Sequence, residues 1–196
     1  MWTHASKLAM AGLLAVAAVA AQAQAWPTRP VKVIIPFPPG GTLDTLGRSL
    51  AQKLGDQLGQ PFVVENRAGA SGIIGHQSVM RAAPDGYTLL FTSTAGLFVV
   101  PVMNPNAKYG LNDFVPVTGV MRAPFAVLVA NTPAAPKTMK DLISALRAKP
   151  ESFASAGVGT MTHLGSELVL RKAGVQATHI PYKGSGAALT DLMSGQ

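Results

Sequence analysis

The sequence predicts a parallel α/β fold. Three observations carry that expectation: apolar runs of strand length alternate with stretches of helical periodicity, turn formers separate them, and glycine and small hydroxyl residues crowd each strand-to-helix junction. Residues 31–37 read as a buried strand. Leu43, Leu46, Leu50, Leu54 and Leu58 then recur every three or four residues as one face of a helix that ends near Gly59 and Pro61. Residues 62–65 form the next strand, followed by a glycine loop and a helix over residues 73–83. Pro84-Asp85-Gly86 is a turn into a third strand over residues 87–92.

Residues 104–112 are rich in turn formers. After them two apolar runs, 114–120 and 125–130, flank Arg122 and Pro124 and read as the crossover into a second domain. The alternation then restarts with a helix carrying Met139, Leu142, Ile143 and Leu146 and a short strand near Phe153. A helix carrying Leu164, Leu168 and Val169 follows, then a strand over residues 178–182 and a helix over residues 187–193. A parallel unit needs a further strand after that helix, so the expectation is the N-terminal part of a longer protein.

The first 25 residues read as an export signal and stand outside the fold. Lys7 supplies the positive start, Leu8 to Val19 the apolar core, and Ala21-Gln22-Ala23 and Ala23-Gln24-Ala25 offer small-residue cleavage sites before Gln24 or Trp26. The apolar core is shorter than the ~20 residues a spanning helix needs. Removing 25 residues from 196 leaves 171, enough for a good core, and losing Lys7 lowers the formal charge from +7 to +6. A basic mature chain suits an anionic solute, and because its basic residues are scattered instead of forming a stripe, nucleic acid is a poor candidate. With no cysteine, there is neither a disulfide nor a thiolate metal site, nor a cysteine for a lipid tether; a soluble periplasmic protein of a Gram-negative cell fits.

Five loops rich in glycine or small hydroxyl residues sit at the strand-to-helix junctions. The first, Pro36-Phe37-Pro38-Pro39-Gly40-Gly41-Thr42, enters a helix whose first turn carries Asp44. Close backbone approach and uncapped helix amides together suit a carboxylate. Asn66-Arg67-Ala68-Gly69-Ala70-Ser71-Gly72 and Thr92-Ser93-Thr94 belong to the same sheet end, where open α/β sheets bind ligands. Ser155-Ala156-Gly157-Val158-Gly159-Thr160 and Tyr182-Lys183-Gly184-Ser185-Gly186 repeat the arrangement in the second domain, so two facing sets of donors suggest a cleft. Phosphate-loop, dinucleotide, serine-elbow and zinc-helix motifs are all missing, and no cofactor is expected. His163 and Glu167, four apart, favour a local contact over a metal site; Lys183 reads more simply as a partner for an anion than as a nucleophile.

Taken together, Pro36-Phe37-Pro38-Pro39-Gly40-Gly41-Thr42-Leu43-Asp44, Glu65-Asn66-Arg67-Ala68-Gly69-Ala70-Ser71-Gly72, Pro84-Asp85-Gly86-Tyr87-Thr88-Leu89, Gly157-Val158-Gly159-Thr160 with His163 and Glu167, and Pro181-Tyr182-Lys183-Gly184 resemble the tripartite tricarboxylate transporter receptors. These are also called Bug proteins, from Bordetella uptake gene, and the motifs run in order from Trp26 to Gln196. The resemblance implies a type II periplasmic-binding-protein-like α/β fold: one lobe over 26–121 and an incomplete second lobe over 122–196, without the return to the first lobe. It further implies a monomeric, non-enzymatic receptor that closes over a small carboxylated solute and delivers it to a membrane permease. The implied grip falls on Phe37, Gly40, Gly41, Thr42 and Asp44, with Ser71, Thr92 and Ser93 beside them. Opposite stand Ser155, Gly157, Gly159, Thr160 and His163, with Lys183 and Gly184 as the far wall. Asp44, an awkward neighbour for an anion, is expected to orient loop amides or meet a polar group of the solute, and Pro38 to narrow the pocket. The other readings are a secreted α/β hydrolase-like enzyme using His163 and Lys183, and a non-functional truncated remnant.

Overall fold

The computed structural model describes residues 26–122, 124–130 and 132–195. The export-signal reading of residues 1–25 lies outside them. Strand β1 (Val31–Ile35) is flanked by β2 (Phe62–Asn66) and β3 (Thr88–Leu90) in the order β2-β1-β3, and both pairings are parallel. A central parallel strand is covered on both faces, which is why Val31, Val33, Ile34 and Ile35 are all buried and only Lys32 is exposed. Val31, Val33, Ala51 and Phe62 form the core of this sheet, with Leu54, Val64, Tyr87, Leu89 and Phe91 packed around them.

Helix α1 (Thr42–Leu58) follows β1 and ends at Gly59, whose left-handed backbone (φ 70°) closes it. The leucine face read from the sequence is not the face that packs closest. Asp44, Gly47 and Ala51 are the buried residues, whereas the leucines flank them half-buried and Leu58 is exposed. The cause is proximity: a Cβ placed on Gly47 would lie 2.6 Å from Ile35 Cδ1 and 3.0 Å from Phe91 Cδ1, so only a small residue lets the helix sit this low on the sheet.

After β2, a 3-10 turn (Ala70–Gly72) leads into α2 (Ile73–Met80), shorter than the stretch to residue 83 read from periodicity. Two short helices missed by the sequence reading, α3 (Thr94–Phe98) and α4 (Val100–Met103), come after β3, and 3-10 turns at Pro105–Ala107 and Leu111–Asp113 follow. They close a second small core of Ile73, Val100, Ala107 and Tyr109. Residues 114–130 carry no helix or strand where described, and Val115 and Val117 are 90% and 83% exposed.

The second sheet pairs β4 (Ser152–Ser155) with β5 (Thr178–Pro181), again in parallel. Helix α5 (Met139–Ala148) precedes β4 and begins with a capping box between Thr138 and Asp141; α6 (Met161–Ala173) and α7 (Ser185–Ser194) follow β4 and β5. Every strand in both sheets therefore runs the same way as its neighbour, and the glycine turns gather at the strands' carboxyl ends.

Candidate functional site

The turns of the two halves meet. A Cβ on Gly41 would lie 3.2 Å from Ser185 Oγ, one on Gly184 3.0 Å from Pro38 Cδ, one on Gly186 3.5 Å from the Gly40 carbonyl, and one on Gly157 3.1 Å from Ser71 Oγ. Four contacts of that closeness bring both sheets' strand ends onto one seam. Gly159 faces Val100 instead, where an added Cβ would lie 3.4 Å from Val100 Cγ2.

Three of the helices that start here have glycine at the N-cap and no side-chain cap: α1 at Gly41, α2 at Gly72 and α7 at Gly184. Their first-turn N–H groups are thus left without a side-chain acceptor. Helices α1 and α7 moreover start against one another, Gly40 and Gly41 against Ser185 and Gly186. Each helix start is equivalent to roughly half a positive charge. Two such ends in contact repel, and a negative group beside them relieves that repulsion.

The first turn is held by a network behind it. Asp44 is buried and accepts from the Gly40 N–H (3.0 Å), from Arg48 Nε (3.0 and 3.1 Å) and from Asn66 Nδ2 (2.8 Å). Burial pushes the Asp44 carboxyl up, but Arg48, the Gly40 N–H and Asn66 together outweigh it and hold the group below the usual carboxylate range. Asn66 also donates to the Phe37 carbonyl (3.0 Å) and accepts from Arg48 (2.7 Å). The carboxylate therefore spends its acceptor capacity on loop architecture, and the Gly40 N–H goes to Asp44. Thr42 is exposed at the start of α1.

The second turn adopts a costly conformation. Ala70, Ser71 and Gly72 are all left-handed, with φ of 48°, 56° and 94°, after Gly69 at 134°. A non-glycine residue there costs about 1 kcal/mol or more, and Ser71 is the one whose hydroxyl reaches Gly157. His76, fully buried, braces this turn: its Nδ1 donates to the Gly72 carbonyl (2.7 Å), and its Nε2 takes the Thr92 hydroxyl (3.0 Å). Burial lowers its pKa, opposed by the Gly72 bond, so the ring is neutral and Thr92 is the donor. It stacks on Tyr109, at 4.9 Å between centroids; burial pushes that phenol up to about 12, and its hydroxyl donates to the Gly96 carbonyl (2.8 Å). Thr92 and Ser93 thus turn inward: Ser93 caps α3 by accepting from Gly96 N (3.4 Å).

In the second half, Ser155 is buried. Its Oγ accepts from the Gly157 N–H (3.1 Å), donates to the Gly157 carbonyl (3.2 Å) and stands 2.6 Å from His179 Nε2. Thr160 caps α6 through the His163 N–H and donates to the Gly157 carbonyl (2.7 Å). His163 Nδ1 accepts from the Gly159 N–H (3.2 Å), and its Nε2 is 3.9 Å from Glu167. His179 is not among the site residues expected from the sequence; its place on β5, the strand that runs into the Tyr182-Lys183-Gly184 turn, is the signal that could have found it. Lys183 is exposed at the rim. Among the described residues no group of three metal-ligating side chains converges. A surface depression lined by Glu167, Leu170, Arg171 and Val175 lies toward the far end of α6, away from these turns.

Parallel α/β units whose glycine-capped helix starts converge between two sheets have the build of a periplasmic solute-binding protein. Solved structures of periplasmic proteins are among those it resembles. One is the periplasmic binding protein BugD, at 34% identity and a TM-score of 0.70 over 85% of this chain and 56% of that one. Another is an R. palustris protein with adipate, at 35% identity and a TM-score of 0.77 over 85% and 56%. The chain belongs to the tripartite tricarboxylate transporter family receptors, whose family profile matches residues 46–196. Among curated relatives, protein BugT of Bordetella pertussis is 43% identical over 195 residues, covering 96% of this chain and 60% of BugT. The chain thus spans a little over half the length of its relatives.

Proposed function

We propose that this protein is a non-enzymatic, monomeric receptor of the periplasm that takes up a small carboxylated solute between a lobe over 26–121 and a lobe over 122–196, and passes it to a membrane permease. The observation that carries the reading is the abutting pair of glycine-capped starts of α1 and α7, which favours an anion beside them. The grip is assigned to Gly41, Thr42, Ser71, Gly157 and Gly184 at the seam. Phe37, Gly40, Asp44, Thr92, Ser93, Ser155, Gly159, Thr160 and His163 shape the turns, and Lys183 supplies a cation at the rim. The adipate held by a structural neighbour supports a dicarboxylate as first candidate.

Catalysis is disfavoured by the same geometry. Ser155 is buried with its oxygen already bonded to the Gly157 amide, and His163 Nδ1 is occupied by Gly159. The test is calorimetry of the full chain with adipate, shorter and longer dicarboxylates, and adipamide. Saturable heat with one or more acids, none with adipamide, and unchanged solute afterwards is the expected result. Equal binding of acid and amide, or no acid bound, overturns the reading.

A further inference from the structure

Behind the Ser155–Thr160 turn lies a layer of rings that the carboxylate reading does not use. His163 and His179 stack at 4.0 Å between centroids, and Phe153 covers His179 at 4.9 Å. Each imidazole also bonds the turn: His179 Nε2 meets Ser155 Oγ at 2.6 Å, and His163 Nδ1 takes the Gly159 N–H at 3.2 Å. We propose that His163 and His179 are one positioning unit for this turn, which keeps its solute-binding shape only while His163 Nδ1 carries no proton. The solute half of this rests on the reading above.

The chemistry follows from the tautomer. Because a backbone N–H only donates, His163 Nδ1 must be the lone-pair nitrogen, and its ring proton sits on Nε2. Thr160 accepts the His163 N–H while His163 accepts from Gly159, so the histidine closes the start of α6 in a variant of the capping box: an imidazole stands where glutamate or glutamine is usual and takes the N–H of the residue before the cap. A second proton on His163 would set two donors against each other at 3.2 Å, and Gly159, itself left-handed at φ 79°, would be driven off. The charged groups facing His163 are Glu167 on its own helix, 3.9 Å from Nε2, and His179 on β5; β4 contributes the uncharged Phe153. Glu167 offsets the added charge on the Nε2 side, so the net effect at the turn is the lost Gly159 bond. His179, stacked on the first ring, disfavours a second positive charge, and its own pKa is lowered by burial and then by His163.

The test has a solute-free arm and a solute arm, both on the full chain. In the first, the Gly159 amide resonance is followed from pH 8 to pH 5 in wild type and in His163→Gln, which keeps an acceptor but does not titrate. The expected result is a titrating Gly159 shift in wild type that is absent in the variant. In the second, adipate affinity is expected to fall ~tenfold further from pH 8 to pH 5 in wild type than in His163→Gln, the size of one lost hydrogen bond; the change in the variant reads the protonation of adipate itself. A Gly159 resonance that does not move in wild type, or that moves alike in both proteins, overturns the positioning unit, and this needs no solute. A moving Gly159 with the same change of adipate affinity in both proteins overturns the link to binding. Failure of every acid at pH 8 overturns the solute reading instead, while the solute-free arm still decides the positioning unit.

Discussion

Replacing Gly75 by alanine measures how tightly the first two turns are packed. A methyl group at Gly75 would lie 2.6 Å from Pro36 Cβ, 2.7 Å from Pro36 Cα and 2.8 Å from the Arg67 carbonyl oxygen. Two of those three atoms are backbone, in the two loops that flank the seam, so no rotamer change relieves the contact. Alanine in a helix interior gains about 1 kcal/mol over glycine, and overpacking costs about 1–3 kcal/mol. With rigid neighbours on both sides the upper end applies, which leaves Gly75→Ala about 2 kcal/mol less stable. Gly55 is the matched control: a methyl there meets the Gln60 carbonyl at 3.4 Å and the Phe62 amide nitrogen at 3.9 Å, both ordinary contacts, so Gly55→Ala is expected to keep most of the ~1 kcal/mol gain. Urea unfolding of the three proteins, read by circular dichroism at equal slope, gives both values. If Gly75→Ala unfolds at or above the wild-type midpoint, the close packing of α2 against Pro36 and Arg67 is wrong.

Three more outcomes are expected. Ser71→Gly should raise the urea midpoint by the equivalent of about 1 kcal/mol, by removing a left-handed serine, while weakening adipate binding in calorimetry. Thr160→Ala should lower stability by about 1–2 kcal/mol, since the cap of α6 and a bond to the Gly157 carbonyl go together; the same unfolding assay reads it. His76 has a folded pKa below its unfolded value near 6.5, so the unfolded chain takes up the proton first. Its contribution is therefore complete above that value and is lost as pH falls below it. Melting temperature should decline from pH 7 to pH 5 in wild type, with a shallower decline in His76→Gln.

Much of the architecture was legible because period and punctuation agree. Strands β1, β2, β4 and β5 and helices α1, α2, α5, α6 and α7 all follow from apolar runs bounded by glycine or proline. The close face of α1 was not legible, because leucine periodicity marks where apolar area lies, whereas the nearest approach is set by where Cβ atoms are small. Helices α3 and α4 leave no periodic signal because four or five residues make little more than one turn, too short for an apolar position to recur. For the candidate site, the glycine turns stand out in the sequence as a pattern. The side chains that hold them do not, because Asn66, His76 and His179 act across 16 to 29 residues, and such pairings leave no local spacing. Thr92 illustrates the cost: a hydroxyl at a strand end looks available, until the fold sets a neutral imidazole behind it.

The three glycine-capped helix starts also determine how such a receptor can change. Main-chain amides survive every substitution except proline, so an alanine scan across the seam will find few positions whose loss silences recognition, even though the seam is where recognition is proposed to occur. Mutations will register through geometry instead: a methyl at Gly41 or Gly184 presses on the opposite half at 3.2 or 3.0 Å. Lineages that acquire new solutes are expected to keep these glycines and vary the side chains around them.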